Sequence, residues 1–135
     1  MARCKAEVDS VIRIPTSLKD GFFQSWFDFL HQIHHLTKRE TEVIACLARH
    51  RHELSKVIKD DAILDRETMG DQVKKEVIEE LKITPSFYQQ ILGKLKKNNI
   101  IVNGVISKRY LPPINEQYSD FRLLLKFECE EDGHS

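Results

Sequence analysis
Apolar residues recur along this chain with two different periods, and the switches between them mark out its elements. Val8, Ser10, Ile12 and Ile14 alternate with their neighbours up to Pro15, which predicts a short N-terminal strand. From Leu18 to His35 the period becomes helical, with Phe22, Phe23, Trp26, Phe27, Phe29, Leu30 and Ile33 on more than one face. So dense an aromatic helix either fills a core or covers a partner. Thr37-Lys38-Arg39-Glu40 is a capping box and opens a further helix that buries Val43, Ile44, Leu47 and Ala48. Its exposed face should hold Lys38, Arg39, Glu42 and Arg49. The pattern weakens near His50-Arg51-His52, where a break is expected before Leu54, Val57 and Ile58. Lys59 to Gly70 is acidic and weakly periodic, predicting a loop with a short helix around Ile63-Leu64.

The stretch from Asp71 to Pro113 carries the most specific order of elements. Val73, Val77, Ile78 and Leu81 form one helical stripe, which runs into the turn Lys82-Ile83-Thr84. Thr84 is placed to cap a second helix, and Pro85 suits its first position, where the missing N–H costs nothing. Phe87, Tyr88, Ile91, Leu92 and Leu95 are its inward stripe; Ser86, Gln89, Gln90, Gly93, Lys94 and Lys97 face out. Asn98 or Asn99 stops it in a left-handed conformation. Two β-branched runs, Ile100-Ile101-Val102 and Val105-Ile106, then flank Asn103-Gly104, a two-residue hairpin turn. Helix, turn, helix and hairpin in this order predict a winged helix.

Beyond Pro112-Pro113 and a polar connector, Phe121, Leu123, Leu125 and Phe127 alternate as a closing strand. It can pair with the N-terminal strand or the hairpin edge, or add to a sheet in another subunit. The predicted class is thus mainly α with a small β component. It is a winged helix-turn-helix-like domain with an extra N-terminal strand and helix and a C-terminal strand. Residues 1–135 read as one domain: strand and aromatic helix in 1–35, the winged-helix-like core in 36–113, closing strand and acidic tail in 114–135. At 135 residues the chain is long enough to bury a core without staples.

Charge changes the functional picture more than composition does. Lys plus Arg is 21 and Asp plus Glu is 21, so the net charge is zero, whereas DNA-binding domains usually carry a basic excess. The charges are segregated. Between Ser86 and Tyr110 lie five basic residues, Lys94, Lys96, Lys97, Lys108 and Arg109, and no acidic one. Residues 59–81 hold four basic against eight acidic, and Glu128, Glu130, Glu131 and Asp132 extend the acidic side. Such a dipolar module suits DNA on one face, or copies of itself packed positive to negative.

Little in the chain invites catalysis. There is no nucleophile elbow and no phosphate-cradling glycine loop, and adjacent carboxylates such as Asp60-Asp61 and Glu79-Glu80 read as solvated surface. His31 and His35, one helical turn apart, have a spacing that can share a metal, with Cys46 or His50 as a third ligand. No H-E-x-x-H or C-x-x-C accompanies them, so solvated histidines are the simpler reading, and no cofactor or metal is expected. Cys4, Cys46 and Cys129 are an odd set without close pairs and read as free thiols. No apolar run has the length of a membrane span and the first residues lack an apolar signal core, so an intracellular or particle-borne protein is expected.

Leu36-Thr37-Lys38-Arg39-Glu40-Thr41-Glu42-Val43-Ile44 is similar to the opening of LuxR-type regulator domains, but there the helix-turn-helix follows at once. Leu36 through Ser55, with Arg49-His50-Arg51-His52-Glu53-Leu54-Ser55, and then Ile91-Leu92-Gly93-Lys94-Leu95-Lys96-Lys97-Asn98-Asn99-Ile100-Ile101, resemble small proteins of crAss-like and related tailed phages. That resemblance implies a virion part near the portal and tail, and carries over no functional residue. The expected function is therefore a non-enzymatic structural or adaptor subunit of a phage particle, in the virion or host cytoplasm. It would be a homo-oligomer or bound to other virion proteins, through an interface formed by Phe22, Phe23, Trp26, Phe121, Leu123 and Leu125. The alternative is a DNA-binding transcriptional regulator, contacting DNA through Ser86, Gln89, Gln90, Lys94, Lys97, Lys108 and Arg109. Neither reading involves a membrane or a small-molecule substrate.

Overall fold
The computed structural model describes residues 21–112, so both expected terminal strands, with Phe121, Leu123 and Leu125, lie outside the described residues. Five helices precede a hairpin: α1 (Phe22–His34), α2 (Lys38–Ser55), α3 (Asp61–Thr68), α4 (Asp71–Leu81) and α5 (Pro85–Lys97). Strands β1 (Ile101–Val102) and β2 (Val105–Ile106) follow, then a single 3-10 turn, Lys108–Tyr110. The described part is mainly helical with a small antiparallel sheet, as the sequence predicts.

Local hydrogen bonds set most of these boundaries. The Glu40 N–H donates to Thr37 Oγ1 (3.2 Å) and the Thr37 N–H to Glu40 Oε1 (3.0 Å), closing the capping box that starts α2. Asp60 accepts from the Ile63 N–H (3.0 Å) at the start of α3, and Thr84 from the Phe87 N–H (3.0 Å) at the start of α5. Helices α4 and α5 end alike, with a left-handed residue and a bond reaching back five positions. Lys82 (φ 55°) precedes Ile83 N–H to Ile78 O (3.2 Å), and Asn99 (φ 61°) precedes Ile100 N–H to Leu95 O (2.9 Å). Both hairpin-turn residues have positive φ, Asn103 at 55° and Gly104 at 79°, pairing Ile101 with Ile106 and Val102 with Val105.

Helix α2 is the hub, packed against α1, α3, α4 and α5, while α5 lies on β1 and α3 on both α4 and β2. The core between them takes Phe23, Phe27 and Leu30 from α1, Val43, Ile44 and Leu47 from α2, and Val77 from α4. Tyr88, Ile91 and Leu95 of α5 and Ile100, Ile101 and Ile106 of the hairpin complete it. The Trp26 indole N–H donates to the Tyr110 carbonyl (2.9 Å), fastening α1 to the segment after the hairpin.

Three expectations change. Phe22 and Phe23, read above as partner-facing, are 8% and 4% exposed: the aromatic helix spends them on α2 and the core of its own chain. Trp26 is half-buried and also packed against that core. Helix α2 runs unbroken through His50-Arg51-His52 to Ser55. That stretch contains no glycine or proline, and its inward side chains find ionic partners on α3 and α4 in place of apolar ones. The short helix expected around Ile63-Leu64 is present but longer, the two-turn α3, because Asp60 caps it and Leu64 and Thr68 are buried.

Candidate functional site
Helix α5 turns one face to the core and leaves the other bare. Ser86, Gln89, Gln90, Gly93, Lys94 and Lys97 are all exposed, as the period predicts, and Lys96 joins them. Residues 86, 89, 90, 93 and 97 fall along one side of the helix, with Lys94 and Lys96 at its edges. No acidic side chain sits on α5, and its three lysines crowd the last turn, where the helix dipole also favours positive charge. The hairpin tip, Val102-Asn103-Gly104, is exposed as well.

Gly93 stands in the middle of the bare face. A Cβ built there would meet nothing within 4 Å, so the fold does not require glycine. A glycine inside an exposed helix nonetheless costs about 1 kcal/mol relative to alanine. Without a Cβ, it leaves the α5 backbone open to close approach from outside at this point.

The basic residues after the hairpin are not equivalent. Arg109 is exposed, but Lys108 Nζ is bound to both carboxylate oxygens of Asp65 on α3 (2.9 and 3.0 Å). Asp65 also accepts from Arg51 of α2, through Nε (3.1 Å) and Nη2 (3.0 Å). One carboxylate thus joins α2, α3 and the 3-10 turn, and it withdraws Lys108 from the charge assigned to the α5 side. Arg51 and Asp65 side chains are only 15% exposed, so removing the acid strands a largely buried guanidinium. Asp65→Asn is expected to lower stability by roughly 1–3 kcal/mol in chemical denaturation. A change within about 0.5 kcal/mol, the range of ordinary surface substitutions, would show that the junction contributes little.

The histidine pair expected at the end of α1 does not gather ligands. His31 and His35 are exposed, and neither joins Cys46 or His50. Cys46 and His50 meet Glu80 of α4 instead. Cys46 Sγ lies 3.4 Å from Glu80 Oε2, and His50 Nε2 lies 2.8 Å from Glu80 Oε1. His50 Nδ1 faces Glu76 Oε1 at 3.3 Å, and the Arg49 guanidinium binds Glu80 and approaches Cys46 Sγ to 3.8 Å. Burial pushes the Glu80 carboxyl up, but the hydrogen bonds from Arg49 and His50 outweigh it and hold it below its ordinary value. For Arg49 burial acts downward, and the bond and charge of Glu80 more than reverse it.

Sequence periodicity alone locates the α5 face, since outward positions follow from the inward stripe. Neither Asp65 nor Glu80 was legible as a junction residue, because each meets its partners across helices. Among the described residues no helix is long and apolar enough to cross a membrane. Set beside known proteins, the chain matches no family model, no curated protein and no solved structure.

Proposed function
We propose that this chain is a winged-helix binding module, not an enzyme, and that it holds duplex DNA with the outer face of α5 and the hairpin as its wing. The observation that carries the reading is the bare, acid-free face of α5 with a glycine at its centre that the fold does not use. A helix of this kind can enter the major groove, where Gln89 and Gln90 can bond base edges and Lys94 and Lys97 the phosphates. The aromatic surplus of α1, which favoured an oligomeric particle subunit on sequence grounds, is largely absorbed into the core and no longer favours it.

DNA binding is measured by fluorescence anisotropy on a labelled duplex across a salt series. Affinity should fall steeply with salt, and Lys94→Ala with Lys97→Ala should reduce the log–log slope by about two. Lys108→Ala should do much less, because Asp65 already holds that ammonium. Gly93→Ala should separate fold from function, stabilising the protein by about 1 kcal/mol while weakening binding. A protein that binds no duplex even at low salt would sink the reading.

A second reading keeps the module as an adaptor subunit of a tailed-phage particle. It is favoured by the zero net charge and by exposed acids on α3 and α4, among them Asp61, Glu67, Asp71 and Glu79, which can meet the α5 lysines of a neighbour. An oligomer that dissociates with salt, combined with no affinity for DNA, would favour it.

A further inference from the structure
The junction of α2 and α4 brings together donors that the DNA reading does not use. Cys46 and His50 are one turn apart on α2, and Glu76 and Glu80 one turn apart on α4. The two turns face each other, so a sulfur, an imidazole nitrogen and a carboxylate oxygen lie within 4.8 Å of one another. We propose that Cys46, His50 and Glu80 form a binding site for a divalent metal ion of the zinc class, with Glu76 orienting the histidine and Arg49 the group that the ion displaces.

The donor set selects the class of ion. Thiolate with imidazole suits zinc or cobalt and disfavours magnesium and calcium, which take oxygen ligands. Thiolate and carboxylate together cancel the two charges of the ion. Three protein ligands leave a fourth position for water. Around a tetrahedral ion with such ligands, donor atoms sit roughly 3.3–3.7 Å apart. The sulfur-to-carboxylate separation of 3.4 Å matches, while His50 Nε2 and Glu80 Oε1, now hydrogen-bonded at 2.8 Å, must part by about 0.5 Å to admit the ion.

The surroundings agree with this. His50 turns Nε2 toward Glu80 and Nδ1 toward Glu76, the arrangement in which a second carboxylate fixes the ring of a metal-bound histidine. Tyr88 of α5, 2% exposed, lies in the same buried cluster as Cys46. The Arg49 guanidinium supplies the positive charge between Cys46 and Glu80. Its side chain is 30% exposed, so the ion must displace it from Glu80 toward solvent. Coordination exchanges the Cys46 S–H bond for a metal–sulfur bond and releases one proton to water.

The test is a cobalt(II) titration of the full chain carrying Cys4→Ser and Cys129→Ser, so that Cys46 is the remaining thiol. A near-ultraviolet thiolate-to-cobalt absorption band should appear, saturate at equimolar metal and disappear on adding zinc. Cys46→Ser should abolish it, and Glu80→Gln should weaken affinity about tenfold or more. Arg49→Ala should tighten it about tenfold, since a competing charge leaves the site. Circular dichroism verifies that each variant is folded. No band at millimolar cobalt in either the parent or the Arg49→Ala protein would overturn the proposal. So would a band that Glu80→Gln and Arg49→Ala both leave unchanged.

Discussion
Phe27→Ala is expected to cost about 3–5 kcal/mol, a large share of the about 5–15 kcal/mol that keeps a domain folded. The ring is 0% exposed, and it lies in one cluster with Phe23, Leu30, Leu36, Ile44 and Leu47. Truncation removes the transfer free energy of an aromatic side chain and leaves a void that helices pinned on several sides cannot fill. The consequence spreads beyond α1. That helix packs on α2, and Trp26 ties it to the Tyr110 carbonyl beyond the hairpin, so loosening it also loosens the segment after the hairpin. Urea denaturation followed by circular dichroism should show a midpoint lowered by roughly 2 M. Ile33→Ala on the same helix is the control: Ile33 is 53% exposed and should move stability by no more than about 0.5 kcal/mol. Equal small effects at both positions would mean that α1 is not part of the core and waits for a partner.

The elements that could be read from the sequence are those written in local hydrogen bonds. The capping box at Thr37 and Glu40, the Thr84-Pro85 start of α5, the stop at Asn99 and the Asn103-Gly104 turn each complete within a few residues. The outward face of α5 was legible for the same reason, because one inward stripe fixes the opposite one. What escaped depends on contacts between distant segments. The continuation of α2 past His50 rests on Glu80 and Asp65, and nothing local to His50-Arg51-His52 reports their position. Lys108 reads in the sequence as phosphate-binding charge, but Asp65 of the distant α3 holds it. The aromatic density of α1 announced burial without saying by which surface, and Phe22 and Phe23 are covered from within the chain. Lys82 in a left-handed conformation is a further case, since lysine carries no signal for it.

Cys46 is expected to react with a maleimide about a thousandfold more slowly in the folded protein than in urea at pH 8. The thiolate is the nucleophile, and burial is the first force against it, for the residue is 7% exposed. The charge of Glu80 and its hydrogen bond act in the same direction, and Arg49 opposes them without prevailing, so the thiol is pushed from 9.0 up to about 12. Near pH 8 an ordinary thiol of that kind is about one-tenth ionised, and one at the raised value about one part in ten thousand. The ratio gives the expected slowing, and access through the packed α2–α4 junction can only add to it. With Cys4→Ser and Cys129→Ser in place, the folded rate should rise about tenfold per pH unit while the fold holds. Glu80→Gln removes the charge and the strongest acceptor near the sulfur while leaving burial intact, so it should accelerate the reaction without reaching the unfolded rate. A folded protein modified as fast as the denatured one would place Cys46 at the surface. The junction would then lose both its packing and its electrostatic logic.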